Sequence, residues 1–188
     1  MKATVSRLQA NWVYGGALAG LGLLVLTPLL TVAWPLGERL VWLVLPVYML
    51  HQLEEHDGDR FRHFVNATIG GGREALSVRD VFVINVFGVW GVMVVTLWLM
   101  RDLASGWGLI GIYLVLVNAV LHLVQALVMR RANPGLWTAL VLFLPLGCWG
   151  LAELAPSATL SVHAVSLAAV VALHGAIVVN VRRRLAHV

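Results

Sequence analysis

Six apolar stretches, at about 12–34, 36–54, 81–100, 107–129, 136–153 and 160–181, are each long enough to cross a bilayer as a helix. Hydrocarbon offers no water to backbone N–H and C=O groups, so each segment must satisfy its own, and the helix does this. The chain therefore reads as all-α: a polytopic membrane protein, one domain over 1–188, built as a six-transmembrane-helix bundle. Composition agrees, with 60% hydrophobic residues and only 12% charged, where a soluble domain carries roughly 25% charged residues. Met1 to Ala10 is short and basic. The apolar run after it is too long for the core of a cleaved signal peptide, so it is read as a retained first span. The single cysteine, Cys148, lies in an apolar run and reads as a small packing residue.

The basic residues set the orientation. With a cytoplasmic N-terminus, the cytoplasmic segments hold Lys2, Arg7, Arg60, Arg62, Arg73, Arg79, Arg130, Arg131, Arg182, Arg183 and Arg184, and the other side holds Arg39 and Arg101. Such an excess on one side is the positive-inside pattern, so both termini are expected in the cytoplasm. The expected location is an integral position in a bacterial inner membrane. These cations flank membrane spans without an aromatic-interleaved patch, which argues against nucleic acid as a partner. The cytoplasmic loop at 57–80 contains a Gly-rich break at 70–72. Ser77 and Asp80 have the spacing of a helix N-cap.

Ionisable side chains within spans are costly and should face the bundle interior with partners. The second stretch ends in "MLHQLEEHDGD", residues 49–59. His51 has Glu54 at i+3 and Glu55 at i+4, both on its own helical face. Asn118, His122 and Gln125 form a polar stripe on the fourth span, His174 lies on the sixth, and Asn85 on the third. At 1.5 Å of rise per residue, His51, His122 and His174 each lie about 12–13 Å from the nearest downstream cytoplasmic arginine, and Asn85 about 9 Å from Arg79. A shared depth on four helices is expected of converging ligands. Imidazole and carboxylate suit zinc or iron, one ion or two, and bundles build such sites from facing helices. His51, Glu54, Glu55, His122 and His174 are the candidate ligands, and Glu54 is also the candidate general base. Asn85, Asn118, Gln125 and His56 are read as groups that orient ligands or touch substrate. His163 falls nearer the outer surface and reads as structural. Gly16 and Gly20, in GxxxG spacing, read as close-packing positions.

Three blocks carry a resemblance. "HQLEE" at 51–55 resembles the pattern that names the HXXEE-domain membrane proteins; "NAVLH" at 118–122 with "NPGLWTALVLFLP" at 133–145 resembles their second block; "ALHG" at 172–175 resembles their late histidine. The turn departs from that pattern at Ala132, where an aromatic is more usual. The resemblance implies a small multispan protein whose motif binds metal.

The function expected from these readings is a metal-dependent membrane enzyme acting on a lipophilic small molecule, with hydrolysis slightly ahead. A di-iron oxidoreductase is the alternative, followed by a metal or proton transporter or a non-catalytic assembly protein. The lipid bilayer is the other expected partner.

Overall fold

A computed structural model describes residues 2–186; His187 in the tail lies outside them. The described residues form helices and turns, without strands. Long helices run over Lys2–Leu30 (α1) and Leu36–His56 (α2). A short helix, Arg60–Thr68 (α3), follows in the loop. Then come Val78–Asp102 (α4), Ser105–Met129 (α5), Leu136–Ser157 (α6) and Leu160–Ala186 (α7).

Five of these, α1, α4, α5, α6 and α7, are long and apolar enough to cross a membrane. Their apolar residues do not segregate to one stripe. Leu18, Val25, Leu29, Val128 and Leu160 are all more than 70% exposed, as a helix surrounded by lipid requires. α2 has a comparable length but carries Glu38, Arg39, Glu54 and Glu55. It lies at the centre of the bundle, packed against α1, α4, α5 and α6. Leu40, Val41, Val44, Tyr48, His51 and Gln52 on α2 are all at most 4% exposed. α7 is the least enclosed of the long helices and packs chiefly on α5.

Two close approaches fix α1 against its neighbours. A methyl group on Gly20 would sit 2.9 Å from Met49 Cβ and 3.0 Å from the Pro46 carbonyl. One on Gly16 would meet the Trp90 ring at 2.9 Å. The small residues are there to let the helices touch.

The charged ends differ in composition. At one end Arg101 pairs with Glu38 at 3.6 Å and covers the Trp34 ring. At the other, Arg184 reaches Glu74 at 3.2 Å and Asp80 at 3.0 Å, and Arg62 reaches Asp59 and, at 3.8 Å, Glu74. This second end also contains the capping box, where Asp80 N–H donates to Ser77 Oγ and Ser77 N–H to Asp80 Oδ2. The segment "FRHFV" is helical within α3.

Two long helices contain π-helical turns, Val83–Trp90 in α4 and Ala139–Phe143 in α6. Such turns recur at functional sites. Both flank the polar end of α2.

Candidate metal centre

Successive residues on a helix point about 100° apart, so the end of α2 addresses a different neighbour with each side chain. His51 and Glu55 share one face toward α5 and α6. Gln52 faces α4, where its amide donates to Asn85 Oδ1 at 2.8 Å and accepts from Trp90 Nε1 at 2.7 Å. Glu54 meets the start of α6. His56 packs between Trp12 and Phe61, with ring centroids 5.2 and 5.3 Å away.

Glu54 does not join its neighbours. Its carboxylate accepts from the Trp137 N–H at 3.2 Å, the Thr138 N–H at 2.7 Å and the Thr138 hydroxyl at 2.5 Å. These are amides at the start of a helix, which have no partner within it, and a carboxylate is the favoured group there. The Thr138 hydroxyl has one proton, and Glu54 receives it. Its oxygen, 2.8 Å from His51 Nδ1, must therefore accept from that nitrogen. His51 is thus held with Nδ1 protonated and a lone pair on Nε2.

His122 is fixed in the same sense by a different residue. The Asn133 amide donates to the His122 carbonyl oxygen at 2.7 Å, which turns its Oδ1 toward His122 Nδ1, also at 2.7 Å. Nδ1 donates, and Nε2 again keeps its lone pair. Both free lone pairs converge on Glu55. His51 Nε2 lies 3.5 Å from Glu55 Oε2 and His122 Nε2 lies 3.6 Å from Glu55 Oε1. One ligand atom from each of the three residues fits within 4.8 Å of the others. All three residues are buried, at 5% exposure or less.

Three acceptor groups thus face one another out of water with no donor among the three; the neighbouring group able to donate is His56, whose Nε2 lies 3.2 Å from Glu55 Oε2. This arrangement is unfavourable alone and is what a cation needs. Zinc bonds of about 2.0–2.1 Å at tetrahedral angles place ligand atoms about 3.4 Å apart, close to the two separations found. Orienting the far imidazole nitrogen by a polar partner is the usual companion of metal ligation. Three protein ligands also leave one of four positions open, as in catalytic zinc sites.

Gly135 closes the site. Its φ is +91°, in the left-handed region, and a Cβ there would lie 2.7 Å from His122 Cε1 and 2.8 Å from His51 Cε1. Only glycine adopts this turn readily and leaves room for both rings. Phe143, in the π-helical turn of α6, covers His51 with its centroid 4.2 Å away.

The family model for "Protein of unknown function with HXXEE motif" matches residues 42–150, more than half of the chain. The chain belongs to the HXXEE family. The matched span of this HXXEE protein includes His51, Glu55, His122, Asn133, Gly135 and Thr138, and ends before His174. No curated protein and no solved structure matches the chain significantly.

Of the residues singled out in the sequence, His51, Glu55 and His122 are brought together. Glu54 is committed to the start of α6. His174 is placed elsewhere: its Nδ1 bonds to the Val170 carbonyl of its own helix at 2.9 Å. The helix that carries it, α7, lies at the rim and packs chiefly on α5. Asn118 donates to the Tyr48 hydroxyl at 2.8 Å, and the Tyr48 ring meets His51 edge-on at 5.5 Å. Asn85 anchors Gln52 rather than a ligand. Gln125 is half-buried and takes no part in these bonds. His56 is buried beside the cluster, with Nε2 3.2 Å from Glu55 Oε2. At the opposite end, His163 pairs with the Tyr113 hydroxyl at 2.6 Å.

Sequence reasoning missed Asn133, Gly135 and Thr138 as members of the site. The signal was present in "NPGLWT", where a turn precedes a helix with both a polar residue and a glycine.

Proposed function

We propose that this protein is a metal-dependent membrane hydrolase. In this reading, His51, Glu55 and His122 hold one divalent ion, with zinc favoured, near the cytoplasmic leaflet of a bacterial inner membrane. One observation carries the proposal: two imidazole lone pairs and a carboxylate meet in a buried space without a donor among them. A metal held there supplies Lewis acidity, polarising a carbonyl and lowering the pKa of water. The chain supplies the rest. Thr138 and Asn133 hold the two rings in one tautomer. Gly135 and Phe143 keep them from turning. The apolar walls keep bulk water out.

The proposed topology is six spans, α2 included, with both termini cytoplasmic. The separation of Arg39 and Arg101 from the remaining cations supports it. A lipophilic substrate follows from the position of the site within the bundle. One-ion chemistry is favoured over a di-iron centre because Glu54 is occupied elsewhere and His174 is absent from the cluster.

Metal analysis of the purified protein tests this reading. One zinc per chain is expected, and none bound after His51→Ala, Glu55→Ala or His122→Ala. Two irons per chain would replace the proposal with oxygen chemistry, and no metal would end both.

A further inference from the structure

A groove of about 240 Å³ opens beside the cluster, between residues 9–14 of α1, the end of α2 and the first turn of α4. Gln9, Asn11, Trp12, Tyr14, His56 and Val81 are among the residues that line it. His56 is 5% exposed, and neither of its ring nitrogens has a hydrogen-bond partner. Nδ1 in particular is a buried polar atom left without a partner, which costs solvation. One of its nitrogens lies 3.2 Å from the same Glu55 carboxylate that meets His51 and His122. His56 therefore joins the groove to the metal centre.

The acidic groups at the groove are paired. Asp57 pairs with Arg60 at 3.5 Å, and Asp59 pairs with Arg62. The Tyr14 hydroxyl donates to Asp57. Apart from His56, Asp59 is the one acidic or basic residue in the lining, and with Arg62 on it the lining itself offers neither a phosphate nor an ammonium an unbalanced partner, whereas a neutral group that accepts and donates hydrogen bonds finds one. Leading away from the groove, Tyr14, Leu18, Leu21 and Val25 form one exposed face of α1, each at least 42% accessible. Their i, i+4, i+7, i+11 spacing makes a continuous apolar stripe. It runs about 16 Å toward the interior of the bilayer.

We propose that this groove is the substrate-binding site, taking the uncharged head group of a fatty amide whose chain lies along the Tyr14–Val25 face. The proposal rests on the metal reading for the fate of the carbonyl, but not for its binding. It therefore has a test that needs no metal. The protein in zwitterionic nanodiscs is irradiated with a C12 fatty amide carrying a diazirine next to the carbonyl, and labelled peptides are mapped. Labels are expected within 9–14, 56–59 and 78–81. Dodecanamide should compete, with dodecyl phosphate and dodecylamine at least tenfold weaker. Ala10→Trp and Val78→Trp fill the groove from opposite walls at exposed positions and should each lower labelling at least tenfold. His56→Phe keeps the packing against Trp12 and Phe61 and should weaken competition by dodecanamide about tenfold. Labels confined to the remaining lipid-facing surface, labelling indifferent to both tryptophans, or equal competition by the charged amphiphiles would each overturn the proposal. Zinc content, measured separately, reports on the metal reading alone.

Discussion

Thr138 gives the sharpest test of how the centre is held. Valine has nearly the same shape, so Thr138→Val removes one hydroxyl and little else. That hydroxyl accepts from His51 Nδ1 at 2.8 Å and donates to Glu54 Oε2 at 2.5 Å. His51 is completely buried, so no water replaces the lost oxygen. Leaving the Nδ1–H unpaired costs about 1–3 kcal/mol. Glu54 loses less, because the Trp137 and Thr138 amides remain bonded to it. The unfilled nitrogen can be relieved by moving the proton to Nε2, which removes the lone pair that faces Glu55. Loss of an orienting partner of this kind lowers metal affinity roughly 10–100-fold, or about 1.4–2.7 kcal/mol. Zinc affinity of the solubilised protein, measured by competition with a chromogenic chelator, should fall by that factor. Imidazole ¹⁵N shifts of the metal-free protein should show His51 leaving the Nδ1–H form. Thr138→Ser keeps the oxygen and should stay within about threefold of the parent. If valine bound zinc as well as threonine, or serine as poorly as valine, the orienting role of this hydroxyl would be wrong.

Other substitutions probe the remaining parts. Gly135→Ala should lower zinc affinity at least tenfold and depress the unfolding temperature, since its methyl would overlap both imidazoles from a backbone that costs alanine roughly 1–2 kcal/mol; an unchanged protein would show that the turn relaxes freely. His174→Ala should retain one zinc per chain where His122→Ala retains none, measured by the same metal analysis; equal loss would return His174 to the ligand set. Glu54→Ala should weaken zinc binding without changing its stoichiometry, because its effect passes through Thr138; abolished binding would make it a direct ligand. A cysteine introduced at Gly71, in the 57–80 loop, should react with an impermeant maleimide only from the cytoplasmic side, and labelling from outside would invert the topology.

The helices were legible in the sequence because lipid leaves few alternatives to a long apolar segment. His51 and Glu55 were legible for a similar reason: a four-residue separation fixes a common face whatever surrounds it. The pairing with His122 depended on depth, which rise per residue supplies. Bearing around the helix axis is a different quantity, set by which helices touch, and His174 shows the consequence. Glu54 illustrates another limit. Its spacing from His51 suits ligation as well as Glu55 does, and only the arrival of α6 shows that two backbone amides and a hydroxyl claim it first. The π-helical turns leave no mark in hydropathy, yet Asn85 and Phe143 sit within them and take their bearings from them.

The central helix behaves like a key with teeth cut on every side. One residue inserted anywhere between Gly37 and Tyr48 would rotate the far end by about 100°. His51 would then lose Thr138, Gln52 would lose Asn85 and Trp90, and Glu54 would leave α6 uncapped, all in a single turn of the lock. The angular setting is kept by greasy contacts before His51, among them Gly20 against Met49 and, more than a helical turn away, Pro46. A glycine with no chemistry of its own is thereby coupled to the candidate ligand atoms, and changes that damage the cluster should be found along this seam as well as beside the histidines.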